Sequence, residues 1–521
     1  NINALGLIPQ HIFYTMTDNT SNNKRIAKNT IALYFRMILV IVVSLYTNRV
    51  ILDVLGVEDF GIYNIVAGVV VLFSFLNSAM TNACQRYLSV AIGKNDAEFA
   101  QKVFSASLLS HIVLIGIVLL LGETIGLWFV DTQLDIPDTR HSASVVIYHI
   151  ALITTCVSII RVPFNAAIVA HERMSFYAYS SIFETVLKLV IVWLIQVFDG
   201  DNLIIYSVLL LIVTIVVNVV YMIFCQIKFK QKLSLKTELS LLKEMTAFSG
   251  WNVFGGVADV GYKQGTNIIL NIFCGVSLNA AMGITNQVRA AIYNFVSNLQ
   301  TAANPQIIKT YSQGDSAHFR TLVFSISKYS YFLMLLMAIP LILNMDYILR
   351  LWLKNPPDHS TSFSQLILIF CLIDSLTGPL WTAMQATGKI KQYMIVTSIC
   401  LLLNLPLTYL FLWMGYAPES LLIIQIFVNV ITLFVRLCFQ KVCLKINIWD
   451  YLKSVVLPIL LVSILAVPIP MAVGGFFETF SKLILTTTSS VVLVVAFVYF
   501  VGLSKSEKLF VKTFIRNRIR R

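Results

Sequence analysis

Thr47-Asn-Arg-Val-Ile-Leu-Asp-Val-Leu-Gly-Val57 and Thr266-Asn-Ile-Ile-Leu-Asn-Ile-Phe-Cys-Gly-Val276 align without a gap at an offset of 219 residues. The likeness spreads outward from there. Ala97, Phe99 and Val103-Phe-Ser105 recur as Ala317, Phe319 and Val323-Phe-Ser325 at an offset of 220. Pro163, Ala167, Ala170, Arg173 and Tyr177 are echoed by Pro379, Ala383, Ala386, Lys389 and Tyr393 at an offset of 216. Three collinear matches with drifting offsets mark an old duplication of about 220 residues.

The surroundings of the repeat place it in a bilayer. Of 521 residues 58% are hydrophobic and 12% charged, and the mean hydropathy is +0.81. A water-soluble domain has nowhere to bury that much apolar surface. A helix of about 20 apolar residues crosses the roughly 30 Å hydrocarbon layer. Fourteen such stretches are present, at about 30–53, 59–82, 101–130, 142–168, 174–198, 202–227, 244–273, 277–302, 317–344, 362–386, 392–415, 419–442, 451–472 and 480–503. They lack the alternation of a transmembrane barrel. The expected class is an all-α integral membrane protein with about 14 transmembrane helices.

A net charge of +13 would suggest a nucleic-acid partner in a soluble protein, but the positions of the charges point elsewhere. With the N-terminus inside, 27 of the 38 Lys and Arg fall on the cytoplasmic side, 5 on the far side and 6 within spans. The outward turns are acidic or neutral: Glu58-Asp59, Asp131 with Asp135 and Asp138, and Asp199-Gly-Asp201. This is the positive-inside bias over an even number of spans. It puts both termini in the cytoplasm and the protein in the cell inner membrane. The basic tail from Lys505 to Arg521 reads as an anchor on anionic membrane lipid, and no nucleic acid is expected.

Six spans separate the copies, an even number, so both face the same way across the membrane. That predicts a parallel repeat: two six-helix lobes around a central cleft, plus two C-terminal helices outside the duplication. The expected boundaries are an extension at 1–23, an N-lobe at 24–228, a linker at 229–240, a C-lobe at 241–446, the last two helices at 447–503 and the tail at 504–521. Residues 1–22 carry no apolar core with a cleavage site, and Met16 is a candidate start. The eight cysteines form no CxxC pair, so no metal site or disulfide framework is expected. The longest outward connection, about 345–361, leaves no room for a catalytic domain, and no Walker loop, HExxH or Ser/His/Asp order stands out. An enzyme is not expected.

An ionisable group at mid-bilayer costs about 2.5–3.5 kcal/mol, so each one present needs a reason. Arg36 lies in span one, on one stripe with Arg25, Asn29 and Thr47. In span seven Asn252, Gly256, Asp259, Lys263 and Thr266 form another stripe, and Thr47 and Thr266 are repeat-equivalent. Span eight adds Asn286 and Arg289, span four Arg161 and Asn165, and span ten Asp374. Glu184/Lys188 and Asp259/Lys263 are acid-before-base pairs at i,i+4. Two readings stay open for them, mutual neutralisation within the bundle or a working part of the cleft. Arg36 could instead snorkel to the surface, and Arg289 could be neutralised by Asp374. His111 and His149 read as packed side chains rather than proton carriers. The positive excess of Arg36, Arg161, Arg289, Lys328 and partly cancelled Lys263 suits an anionic passenger, since guanidinium groups bind phosphate in a fork.

Gly283-Ile-Thr-Asn-Gln-Val288, Ala303-Asn-Pro-Gln-Ile-Ile-Lys-Thr-Tyr311 with Gly314-Asp315, and Gln385-Ala-Thr-Gly-Lys-Ile-Lys391 carry a resemblance, as do Arg25-Ile-Ala-Lys-Asn-Thr30 and Leu55-Gly-Val-Glu-Asp-Phe-Gly-Ile-Tyr63. From about residue 24 onward the chain resembles the Wzx-type polysaccharide flippases, within the MOP superfamily that includes the MATE exporters and the lipid II flippase MurJ. The resemblance implies two lobes around a V-shaped cleft. It also implies transfer of an undecaprenyl-pyrophosphate-linked oligosaccharide to the periplasmic leaflet for O-antigen, lipopolysaccharide or capsule synthesis. A polysaccharide polymerase and glycosyltransferases would be its partners. On this reading Arg36, Arg289 and Lys263 engage the pyrophosphate, while Thr47, Asn252, Thr266 and Asn286 face sugar hydroxyls. Asp259, Asp374, Glu184 and Lys188 are the candidates for H+ or Na+ coupling, and no other cofactor is expected. The rival readings are a MATE-like exporter of small molecules and a membrane polymerase or glycosyltransferase.

Overall fold

The computed structural model describes residues 74–132, 136–230, 238–353, 356–476, 479–505 and 507–509, with scattered positions between 29 and 66. Every element among the described residues is helical. A short apolar helix, α1 (Leu33–Val43), precedes α2 (Ser74–Gly93). Ten further helices are long and apolar enough to cross a membrane. They are α3 (Ala97–Thr132), α4 (Asp138–Ala170), α5 (Met174–Leu194), α6 (Asn202–Phe229), α8 (Ser316–Leu353), α9 (Ser360–Thr387), α10 (Lys391–Trp413), α11 (Ser420–Leu444), α12 (Ile448–Gly475) and α13 (Phe480–Gly502). Between α6 and α8 runs α7 (Leu239–Ser312). The ten match expected spans three to six and nine to fourteen, and α7 covers spans seven and eight. The protein is a multi-pass membrane protein.

Span seven and span eight were expected as separate helices, and here the reading differs from the structure. The helical run continues through Cys274-Gly-Val-Ser-Leu-Asn-Ala280, which has no proline and a single glycine to stop it. What changes along α7 is its partner. Near its start Glu244 accepts a hydrogen bond from the Tyr87 hydroxyl of α2, at 2.8 Å. Phe273 then stacks edge-on against Tyr409 of α10, and Thr285 meets Ser364 of α9.

The chain divides into two compact units, Ala27–Gly256 and one built on Val257–Arg521. The first has a core of Leu114, Val118, Ile147, Tyr148, Leu152 and Leu203, where α3, α4 and α6 meet. A single wide turn, Gly122–Gly126, interrupts α3, and the Tyr148 hydroxyl donates to the Gly122 carbonyl there at 2.6 Å. In the second unit α8 is the hub. Phe324 packs against Tyr451, and a Cβ at Gly502 would lie 2.6 Å from the Phe332 ring. Helices α12 and α13 therefore share the core of the second unit, although they lie outside the duplication.

The duplication is also visible in the backbone. Left-handed residues end helices at Asn95, Glu172 and Lys230 in the first unit and at Gly314, Gly388 and Lys445 in the second. Their separations, 219, 216 and 215, follow the same drift as the sequence offsets. Asp96 caps α3 by accepting from the Phe99 amide at 2.8 Å, and Asp315 caps α8 by accepting from the His318 amide at 3.0 Å. Interhelical bonds repeat too. The Cys225 thiol of α6 donates to the Phe164 carbonyl at 3.5 Å, and 215 positions on the Gln440 amide of α11 donates to the Leu380 carbonyl at 2.7 Å.

Two helices depart from regular geometry near a proline. Pro379 has no N–H for the Ser375 carbonyl one turn earlier. The Gln300 side-chain amide of α7 takes that carbonyl at 3.0 Å and passes beside Gly378, where a Cβ would lie 2.1 Å from its oxygen. In α8 the backbone leaves helical geometry at Asn344, one turn after Pro340. There the Asn344 amide donates to the Pro340 carbonyl and to the Thr486 hydroxyl of α13.

Candidate functional site: intramembrane charge clusters

Arg36, Arg161, Glu184 and Lys188 lie in the first unit, and Asp259, Lys263, Arg289 and Asp374 in the second. In the first unit Arg161 sits nine residues before the end of α4, about 14 Å along the axis and so near mid-bilayer. Its guanidinium bonds Glu184 of α5 at 2.9 Å, and Lys188 bonds the other oxygen of Glu184 at 2.8 Å. The i,i+4 pairing of Glu184 and Lys188 is therefore present, with Arg161 as a third member that sequence spacing on one helix could not reveal. Arg161 also lies 5.7 Å from the centre of the Tyr221 ring of α6. Arg36 of α1 lies 4.9 Å over the Tyr177 ring of α5, and its buried Nε has no hydrogen-bond partner among the described residues. Tyr221 lies within electrostatic reach of Arg36, Arg161, Glu184 and Tyr177. Among the described residues, Arg161 and Lys188 thus share one carboxylate, and Arg36 lies on the same floor of aromatic rings with no carboxylate shown against it, so cations outnumber acids here.

The second unit is balanced. Lys263 pairs with Asp259 at 2.6 Å, and both are about half exposed. Arg289 stacks 4.9 Å over Phe370 and interacts with Asp374, which also interacts with the Tyr293 hydroxyl. The Thr377 hydroxyl reaches Asp374 at 3.3 Å. Tyr262 feels Arg289, Asp259 and Asp374 together. Two cations here face two carboxylates. Arg289, which the sequence counts toward the positive excess, lies within electrostatic reach of Asp374, the alternative named for it.

The uncharged candidates are placed less centrally. Thr47 is buried, and its hydroxyl donates to the Val43 carbonyl of its own helix at 2.8 Å. Thr266, its repeat counterpart, is buried with no partner for its hydroxyl among the described residues. Asn252 is buried and donates to the Phe248 carbonyl one turn back. Asn286 is exposed. Asn252 belongs to the first unit, while Asp259, Lys263 and Thr266 belong to the second. His111 is buried with Nδ1 on the Ser107 carbonyl, as a packed histidine should be.

Sequence reasoning overlooked the partnership of Arg36 with Tyr177. The repeat marks Tyr177 as the counterpart of Tyr393, which in the structure lies 5.6 Å beneath Arg436 and accepts a hydrogen bond from it at 2.5 Å. Among the described residues no group of three or more His, Cys, Asp or Glu is placed to hold a metal ion.

A duplicated, polytopic helical membrane protein with charged groups inside each repeat is the class these features define. The MatE family model matches residues 260–410. Solved MATE structures share the fold. A point mutant of a MATE protein superposes with a TM-score of 0.70 at 13% identity, covering 81% of this chain and 96% of that one. An outward-facing multidrug resistance MATE family transporter of the MOP superfamily gives 0.69 at 12%, covering 81% and 96%. A MOP superfamily transporter from Pyrococcus furiosus, described as having a binding pocket of reverse polarity, gives 0.67 at 13%, covering 82% and 97%. No curated protein sequence matches. The fold is that of the MATE transporters.

Proposed function

We propose that the protein is a membrane transporter of the MOP type whose passenger is anionic, a polyprenyl-pyrophosphate-linked oligosaccharide moved between leaflets by alternating access. The observation that carries this reading is the excess of positive charge in the first unit, where among the described residues Arg161 and Lys188 share Glu184 and Arg36 faces the Tyr177 ring with no carboxylate shown against it. A drug cation would be repelled there, whereas a pyrophosphate offers acceptors to both guanidinium groups. The buried, unpartnered Nε of Arg36 is a donor awaiting such an acceptor. A pocket of reverse polarity has been described on this fold in the Pyrococcus furiosus transporter. On this reading Lys263, paired with Asp259, and Arg289, stacked over Phe370 within reach of Asp374, contribute less to the excess.

The second reading, a MATE-like exporter of small cations, is favoured by Asp259 and Asp374 and by the fold itself. Proteoliposomes holding a fluorescent polyprenyl-pyrophosphate oligosaccharide separate the two. Translocation by the wild type, reduced about tenfold or more in Arg36→Ala/Arg161→Ala at equal protein content, is the expected result. Efflux of organic cations with no movement of the lipid-linked sugar would establish the exporter instead.

A further inference from the structure

At one end of each unit an acid meets a base across helix starts, and the two units use different bases. In the first unit Arg140, near the start of α4, bonds Asp201 at 2.5 Å and also bonds Asp59. Asp201 is the residue that caps α6. In the second unit His359 stands 219 positions after Arg140, the separation of Asn95 from Gly314. Its Nδ1 lies 2.6 Å from Glu419, the residue before α11. The Ser362 hydroxyl donates to the same carboxylate oxygen at 2.8 Å. Repeat-equivalent helix starts are thus fastened by a permanently charged guanidinium in one unit and by an imidazole in the other.

Two more imidazole–carboxylate contacts join α3 to α4. His141 Nε2 lies 3.2 Å from Asp131, and His149 Nε2 lies 3.3 Å from Glu123. His149 is the more telling, because its Nδ1 is 2.7 Å from the Val145 carbonyl. That bond requires a proton on Nδ1. Nε2 can then face a carboxylate favourably only if it is protonated as well, as the imidazolium. The exposed Asp358 and Asp138 stand near His359 and His141 in the chain. Phe363 neighbours His359, Tyr148 neighbours His149, and Arg140 beside His141 is taken by Asp59 and Asp201.

We propose that His359–Glu419, His141–Asp131 and His149–Glu123 are pH-responsive clasps on the face that charge asymmetry assigns to the outside. Imidazolium–carboxylate pairs hold the helix starts together most firmly in acid and weaken as the rings lose their protons, a neutral ring keeping at most a hydrogen bond, while Arg140 holds throughout. On the acid side the limit is set by the carboxylates. Burial pushes the Glu419 carboxyl up, but the bonds from His359 and Ser362 and a backbone amide outweigh it and leave the group below its ordinary range. The Glu419 contribution is therefore present above the usual carboxyl range and lost only as pH falls through that depressed value.

Hydrogen exchange of the full chain in nanodiscs, corrected for intrinsic rates, tests this at about pH 5.5 and about pH 8, either side of the ordinary imidazole range near 6.5. Amides of Ser360–Phe363 and Leu421–Leu422 should exchange roughly two- to fivefold faster at the higher pH. His359→Arg, which copies the first unit, should abolish that dependence and leave the α3–α4 dependence intact. His141→Gln/His149→Gln should do the converse. Identical pH ratios in the wild type and both variants would overturn the proposal.

Discussion

Gln300 shows how much one side chain does in this fold. It bridges the Ser375 carbonyl that Pro379 leaves free and the Ser330 hydroxyl, and it is buried. Gly378→Ala would place a methyl group 2.1 Å from its oxygen, so the amide must leave and the carbonyl is orphaned. The expected cost is about 1–3 kcal/mol, read as a lowered unfolding temperature of the purified protein. Gln300→Ala should make Gly378→Ala nearly neutral, because the clash and the bond vanish together. Arg289 offers a sharper contrast. If its partner is Asp374, Arg289→Ala should destabilise the protein by leaving a carboxylate unpaired, and Asp374→Asn added to it should restore much of the loss. A pure passenger contact would leave stability untouched. The charges themselves were legible in the sequence, since each was an expensive exception in an apolar span. The link from Arg161 to Glu184 across helices was not, because periodicity relates only residues on the same helix; Asp374 could be offered for Arg289 only as an alternative.

At the scale of elements, the last helix is tied back by an ion pair that lies beyond it. Lys328 of α8 is 7% exposed and bonds Glu507 at 2.7 Å, while the Tyr329 hydroxyl donates to the other oxygen at 2.7 Å. Burial pushes the Glu507 carboxyl up, but Lys328, the Ser504 backbone and Tyr329 together hold it below its ordinary range. The stabilisation is thus complete above the ordinary carboxyl range and lost as pH falls through the depressed value. Glu507→Gln leaves Lys328 buried and unpaired at neutral pH, so a loss of about 3–5 kcal/mol is expected. The same substitution should cost little in strong acid, where the wild-type carboxyl is already neutral; unfolding temperatures across pH check both. Sequence reading expected Lys328 among the free interior cations. Glu507 lies 179 positions away and nothing in either local pattern links them. Ten described spans, by contrast, were readable from hydropathy alone, because the bilayer imposes length and apolarity on each one separately. The limit of that rule is α7. Hydropathy falls between spans seven and eight, but without proline or paired glycines the helical hydrogen bonding has no reason to stop.

At the scale of the molecule, the left-handed turns are the clearest record of the duplication and the best handle on its orientation. Copies separated by six spans enter the membrane from the same side, and if α7 crosses twice, as its two expected spans require, equivalent turns share a face. Asn95 and Gly314 should be cytoplasmic, with Glu172 and Gly388, and with Lys230 and Lys445. Gly200 and Gly415, 215 residues apart with positive φ, should lie outside. The lysines support the assignment, since Lys94, Arg173, Lys228, Lys389, Lys391 and Lys441 cluster on the first set and Asp199 with Asp201 on the second. Cysteine substitution on a background lacking the eight native cysteines tests it. The exposed Lys94, Lys389 and Asp199 and the glycine Gly415 are suitable sites. A membrane-impermeant maleimide applied to whole cells should label Asp199→Cys and Gly415→Cys, and should reach Lys94→Cys and Lys389→Cys only after permeabilisation. Labelling Asp199→Cys and Gly415→Cys from opposite sides would make the repeats inverted rather than parallel. The two outward helix starts would then no longer share a compartment, and neither a common passage nor a common pH could act on both units.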